Sequence, residues 1–258
     1  MTVNADDLTS AGSDPIRCVV IGAGGRLGSS ICARLDQSPA VELVGRLGSS
    51  DPLASVVDLE PDVVVEATVP DVSPGIVEFL VSRGISTVVA TSGWDEARVD
   101  RLRGWLADAP STRVLLAPIL GLGAAAMMDA IQRLAPVFDA VEIVEMHHAA
   151  KLDAPSGTSG YTAQLLTPPN APQHQATPPP DQPARGVLVN GIPIHSVRLP
   201  GFVAHQQVFL GRPGEMLRIE YDAYDRSAFA EGALAAVLAL PAAPAGLTYG
   251  LENLLFRS

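Results

Sequence analysis

The run Ile16-Arg-Cys-Val-Val-Ile-Gly22-Ala-Gly24-Gly25-Arg26-Leu27-Gly28 decides how the rest of the chain is read. A short apolar run reads as a buried strand, glycines interrupt it, and a helix opens at Arg26. Glycine permits the positive φ of a tight turn and lets backbone N–H groups approach a pyrophosphate, while the dipole of the following helix favours the anion. This strand-glycine-helix order implies a bound dinucleotide, NADPH or NADH, and is what makes a glycine motif informative. The second strand of such a unit usually ends in an acid that takes the ribose hydroxyl. Here it reads Val44-Gly45-Arg46-Leu47-Gly48, with no acid until Asp51. Arg46, with Arg26, is therefore expected to suit the 2′-phosphate of NADPH, the alternative being a solvated surface cation.

Working outward, β-branched runs at Arg17–Ile21, Val41–Val44, Val63–Glu66, Thr87–Ala90 and Val114–Ala117 alternate with segments of helical period. One helix opens at Arg26, one at Ser73-Pro74 with Ser73 as N-cap, and one near Asp95 running through Trp105. The pattern predicts an α/β fold, a Rossmann-type parallel sheet with right-handed crossovers. Beyond Gly121 the pattern changes to a helix over Ala124–Phe138, a strand over Ala140–Met146 and a helix around Gly157–Leu166. A proline-rich exposed loop spans 167–185. Alternating runs follow at Val187–Val189, Ile192–Leu199, Phe202–Leu210 and Met216–Tyr224, punctuated by Asn190-Gly191, Pro200-Gly201 and Pro213-Gly214. These predict an α+β substrate-binding and oligomerisation domain with a mixed sheet over 122–230. The dinucleotide-binding domain takes 15–121 and, by return of the chain through the helix Ser227–Leu240 and the tail Gly246–Leu255, 231–258.

Charge and composition narrow the partners. Seventeen Lys and Arg against 28 Asp and Glu give a net charge of −11, which opposes binding to nucleic-acid phosphates or anionic membranes. An anionic small-molecule substrate then needs local positive charge. Cys18 and Cys32 read as two buried thiols without a disulfide framework. Residues 1–14 carry acids and no signal-peptide pattern, so a disordered tail and a cytoplasmic location are expected.

The densest chemistry is Glu145-Met-His147-His148-Ala149-Ala150-Lys151-Leu-Asp153-Ala-Pro155-Ser156-Gly157-Thr158, at a strand exit entering a helix. Two histidines, a lysine and a Ser-Gly-Thr helix start make a cationic, donor-rich patch suited to holding a carboxylate and supplying a proton. Adjacent strand histidines point to opposite faces and no third ligand is suitably spaced, so no metal is expected. His195 and His205, on strand runs, and the Met127-Met128 pair read as structural.

On these residues the sequence resembles the dihydrodipicolinate reductase family. The resemblance rests on Gly22–Gly28, on His147-His148-x-x-Lys151 through Thr158, on Gly191–Gly201, on Val203-Ala-His205-Gln206 and on Gly246-Leu-Thr-x-Gly-Leu-Glu252. It implies that His147 is the general acid, that Lys151 holds substrate and stabilises developing negative charge, and that His148, Gly157 and Thr158 bind substrate. It further implies that Gly22, Gly25, Arg26, Leu27 and Gly28 cradle the cofactor phosphates. Thr68 and the loop Ala90-Thr91-Ser92-Gly93 would then line the nicotinamide. The implied reaction is NAD(P)H-dependent reduction of a cyclic imine carboxylate, 4-hydroxy-tetrahydrodipicolinate, in lysine and diaminopimelate biosynthesis, and the implied assembly is a homotetramer.

The match departs at the site. Ala90-Thr-Ser-Gly93 stands for the usual Gly-Thr-Thr-Gly, Pro118-Ile119-Leu120-Gly121 for Pro-Asn-Phe-Ser, and Ala149-Ala150 for a polar pair. A pocket with fewer donors leaves open a paralogue that reduces or cyclises a different imine, or a cofactor-binding protein without catalysis.

Overall fold

The computed structural model describes residues 14–174 and 182–256. The acidic terminal stretch up to residue 13 and the centre of the proline-rich stretch, 175–181, lie outside them. The chain divides into two compact units, one up to Leu122 together with the residues from Arg226, the other Gly123–Asp225. The second boundary falls earlier than residue 231, because the helix that begins at Ser227 joins the first unit whole.

The first unit holds a six-stranded sheet. Numbered along the chain, its strands are β1 (Ile16–Ile21), β2 (Val41–Leu47), β3 (Val63–Glu66), β4 (Ser86–Val89), β5 (Arg113–Leu116) and β11 (Gly246–Tyr249), in the order β11-β5-β4-β3-β1-β2. Every pairing is parallel. Cys18, Val19 and Val20 are fully buried, as a strand covered on both faces requires, which is why β1 reads as a continuous apolar run. The main helices are α1 (Arg26–Leu35), α3 (Ser73–Val81), α4 (Glu96–Ala107) and α7 (Ser227–Ala239), with the shorter α2 (Ser55–Asp58) and α8 (Leu251–Leu255).

Two sequence expectations change here. The tail Gly246–Leu255 is not only a packing segment. Gly246 N donates to Thr112 O at 2.8 Å and Gly250 N to Leu116 O at 2.9 Å, so β11 extends the sheet beyond β5. Gly246-Leu-Thr-Tyr lacks the continuous β-branched run that marks Val63–Glu66, and the open edge of β5 recruits it. Nor does Ser73 cap α3. Its hydroxyl donates to Glu66 Oε2 at 2.6 Å, and the N-cap position falls to Val72 without a side-chain bond. A buried carboxylate has claimed the serine that the helix amides would otherwise use.

The second unit carries β6 (Ala140–His147), β7 (Val187–Val189), β8 (Ile192–Arg198), β9 (Ala204–Arg212) and β10 (Glu215–Ala223) in the order β10-β9-β6-β8-β7. β6 runs parallel to β8, and the other pairs are antiparallel. One face packs on α5 (Leu122–Leu134) and α6 (Gly157–Leu165), where Ile131, Ala163, Val141, Ile143, Val208 and Leu210 form the core. The helix expected to reach Phe138 ends at Leu134 and tightens to a 3-10 turn over Ala135–Val137, because Pro136 has no N–H to continue the ladder. Asn190 and Gly191 both take positive φ, 51° and 78°, the geometry of a two-residue hairpin between β7 and β8.

Candidate active site

The glycine loop of the first unit is built so that no side chain fits. A Cβ on Gly22 would sit 2.2 Å from Ala67 O, at a φ of +86°. One on Gly28 would sit 2.1 Å from Gly22 O, so this glycine lets α1 pack onto the loop. Gly25 is the N-cap of α1 and accepts from Ser29 N through its carbonyl. A cavity of about 710 Å³ opens here, lined by Gly22, Gly24 and Gly25, by the end of β2 and by Thr68. An all-backbone cradle at a helix N-terminus fits a dinucleotide pyrophosphate. Arg26, Leu27 and Gly28 are not among the lining residues; Arg26 is exposed at the first position of α1.

Arg46 is placed differently from the sequence expectation. Its Nη2 donates to both Asp36 carboxylate oxygens, at 2.5 and 2.7 Å, and it does not line the cavity. The alternation of β2 turns Leu47 to the cavity and Arg46 to the exposed side.

Beyond β3 lies a cluster that the sequence reading missed. Glu66, the last residue of β3, is fully buried, and four donors converge on its carboxylate. Thr68 N at 2.9 Å, the Thr68 hydroxyl and the Thr91 hydroxyl at 2.8 Å donate to Oε1, and Ser73 donates to Oε2. Thr68 N also reaches Thr91 Oγ1 at 2.9 Å, and Trp94 Nε1 donates to Ser73 Oγ at 3.2 Å. One acid thereby ties the loop after β3 to the loop after β4. Thr91, Ser92, Gly93 and Trp94 line a separate cavity of about 280 Å³, while Ala90 is held by its N–H on Glu66 O at 2.8 Å. An acid closing a Val-Val-Val-Glu strand beside hydroxyl-bearing loops was the available signal.

In the second unit β6 carries Val141, Ile143, Glu145 and His147 on its buried face. His147 Nδ1 lies 2.5 Å from Glu145 Oε2. Arg198, paired with His147 across β8, donates to both Glu145 oxygens at 2.8 and 2.7 Å, and Ser156 N donates to Oε1 at 3.2 Å. Burial would push the Glu145 carboxyl up, but its hydrogen bonds to His147, Arg198 and Ser196 outweigh burial and hold it at about 2. Being a carboxylate, it can only accept, so Nδ1 carries a proton and Nε2 is the nitrogen left to meet a ligand. The same carboxylate pins the start of α6 through Ser156, whose Oγ in turn accepts from Ser159 N as helix cap. Arg198 Nη2 closes the loop by donating to Asp153 O at 2.7 Å.

The remaining expected residues lie on this connection. His148 is exposed immediately after β6, and Gly157 and Thr158 are the first two residues of α6. Lys151 Nζ donates to Asp153 at 2.7 and 2.8 Å. Burial raises the Asp153 carboxyl, yet the bond and charge of Lys151 bring it below its usual range. Lys151 is also the only lysine in the chain, all its other standing cations being arginines. Neither Glu145 nor Arg198 was given a role from sequence, although Glu-x-His on a strand puts both side chains on one face.

Comparison with known proteins agrees with this geometry. The family described as "Dihydrodipicolinate reductase, N-terminus" matches residues 16–118, and "Dihydrodipicolinate reductase, C-terminus" matches 123–255. The chain is 42% identical over 245 residues to a 4-hydroxy-tetrahydrodipicolinate reductase of Streptomyces avermitilis, covering 93% of this chain and 98% of that one. It is 42% identical over 243 residues to the enzyme of that name from Mycobacterium marinum, covering 93% and 99%. Among solved structures, a dipicolinate-bound dihydrodipicolinate reductase from Paenisporosarcina sp. TG-14 superposes with a TM-score of 0.78 at 29% identity, over 93% of this chain and 100% of that one. With both halves matched in order, the chain belongs to the dihydrodipicolinate reductase family.

Proposed function

We propose that this chain reduces 4-hydroxy-tetrahydrodipicolinate to tetrahydrodipicolinate with NADH or NADPH, a step of lysine and diaminopimelate biosynthesis in the cytoplasm. The observation that carries the reading is the Glu145–His147–Arg198 assembly on the connection that also bears Lys151 and the first turn of α6. Its relatives of that name, 42% identical along nearly their whole length, supply the substrate.

When bound, a reduced nicotinamide would supply the hydride that the conjugated imine accepts. Gly22 and Gly25, whose own N–H groups bond Leu47 O and Gly22 O, would shape the turn, the opening amides of α1 at Arg26, Leu27 and Gly28 with the helix dipole would hold the pyrophosphate, and Thr68, Ala90 and Ser92 would border the nicotinamide. His148 and the α6 amides of Gly157 and Thr158 take the substrate carboxylates. Reduction drives electron density toward the ring nitrogen and its neighbouring carbon. Lys151 leaves Asp153 to meet that charge, and His147 Nε2 delivers the proton while Glu145 holds the ring by Nδ1. Ala149 and Ala150 are exposed and add no polar group to the loop; Ile119 and Leu120 are buried. No observation favours a different imine or a protein without catalysis.

The partner surface is the outward face of the second sheet. A cavity of about 610 Å³ there is lined by Val144, Phe209 and Met216, and Leu188, Val197 and Met216 are exposed. We propose that a homotetramer covers it, since an apolar sheet face is costly to leave in water.

The deciding assay follows loss of the reduced nicotinamide absorbance with enzymatically generated substrate. Turnover is expected, and His147→Gln should lower kcat about a hundredfold or more. A wild type without turnover, or a His147→Gln enzyme with unchanged kcat, ends the proposal.

A further inference from the structure

We propose that Asp51 sets the cofactor choice of this protein and makes NADH, not NADPH, its preferred reductant. On a doubly wound sheet the adenosine half of a dinucleotide lies across the carboxyl end of the second strand. There a ribose hydroxyl is held by an acid, whereas a 2′-phosphate needs a cation. Leu47, Gly48 and Asp51 line the cavity of about 710 Å³ at that strand end, and Asp51 is the one charged residue among its lining residues. Gly48 N donates to Asp51 Oδ2 at 2.7 Å, which turns the carboxylate back over the end of β2. Oδ1 makes no hydrogen bond among the described residues and is left for a ribose hydroxyl.

The nearby cations do not offset it. Arg46 is held by both oxygens of Asp36, the C-cap of α1, so its charge is neutralised on the α1 side. Arg26, first residue of α1, stands at the pyrophosphate end, which both cofactors share. A 2′-phosphate would bring about two negative charges beside the Asp51 carboxylate. At roughly 4 Å, in the screening typical of a protein surface, such repulsion is worth about tenfold or more in binding. The acid thus occupies the strand end that the arginine was expected to serve.

The test is isothermal titration of the full chain with NADH and with NADPH, followed by kcat/KM for each. Wild type should bind NADH about tenfold or more tightly than NADPH, and Asp51→Asn should narrow that gap, chiefly by strengthening NADPH. Arg46→Ala should leave the ratio of dissociation constants within about twofold. Equal or tighter binding of NADPH by wild type overturns the proposal, as does an unmoved ratio in Asp51→Asn or a selective loss of NADPH in Arg46→Ala. The inference draws on the reductase reading only for kcat/KM. Absence of turnover would count against that reading, and the ratio of dissociation constants would still decide the role of Asp51.

Discussion

A single ammonium in a chain otherwise reliant on guanidinium marks position 151. Arginine spreads its charge over a planar fork and suits bidentate pairing, whereas lysine delivers a compact charge on a flexible stem. Lys151 must exchange Asp153 for a ligand, which a point charge does more readily than a fork locked on both carboxylate oxygens. Lys151→Arg should therefore keep the fold and lower kcat about a hundredfold, read by steady-state kinetics beside a melting curve. An amine-selective reagent should modify Lys151 alone among the side chains, and substrate analogue should protect it, as peptide mass analysis would reveal. Glu145 makes a different demand. Its carboxyl sits at about 2 in the folded chain against an ordinary 4.5, so the stability it adds is fully present above 4.5 and is lost as pH falls toward 2. That contribution is of order 3 kcal/mol. Glu145→Gln should unfold more easily at neutral pH, because Arg198 loses its partner, and its denaturation free energy should fall less steeply with acidification than that of wild type. Parallel slopes for the two proteins would contradict this account.

At the scale of elements, two loops and one strand exit do the positioning. The loops after β3 and β4 share Glu66, and every polar group around its carboxylate is a donor. Glu66→Gln sets an amide N–H₂ against hydroxyl and backbone donors, leaving some buried groups unpaired at about 1–3 kcal/mol each. We expect a lower melting temperature and about tenfold weaker NADH binding, with Trp94, bonded through Ser73 to the same acid, reporting the change by fluorescence. A drop in melting temperature with unaltered NADH affinity would reduce Glu66 to a core residue. The glycine loop was legible from sequence because its requirement is local: Gly22 needs a positive φ, and Gly28 must let α1 close onto Gly22 O. The Glu66 cluster was not, since Thr91 joins Glu66, Thr68 and Ser73 from the loop after β4 and reaches them only when β3 and β4 align in register.

For the whole molecule, the outward face of the second sheet is the surface that the proposed homotetramer would cover. Light scattering on the purified chain should report four protomers, and Phe209→Asp, on the outward face, should yield smaller species; a monomeric wild type would refute the assembly. No helix among the described residues is long and apolar enough to cross a membrane. Sequence alone determined the parallel sheet, the glycine cradle, the His-His-x-x-Lys run and the family, because each depends on the order and spacing of residues close along the chain. Tertiary structure alone decided that Arg198 completes the Glu145–His147 pair, that Arg46 turns to Asp36 and away from the cofactor cavity, and that β11 finishes the first sheet. Those outcomes depend on which strands become neighbours and which face each residue takes, and neighbourhood across tens or hundreds of residues is set by packing that no local pattern records.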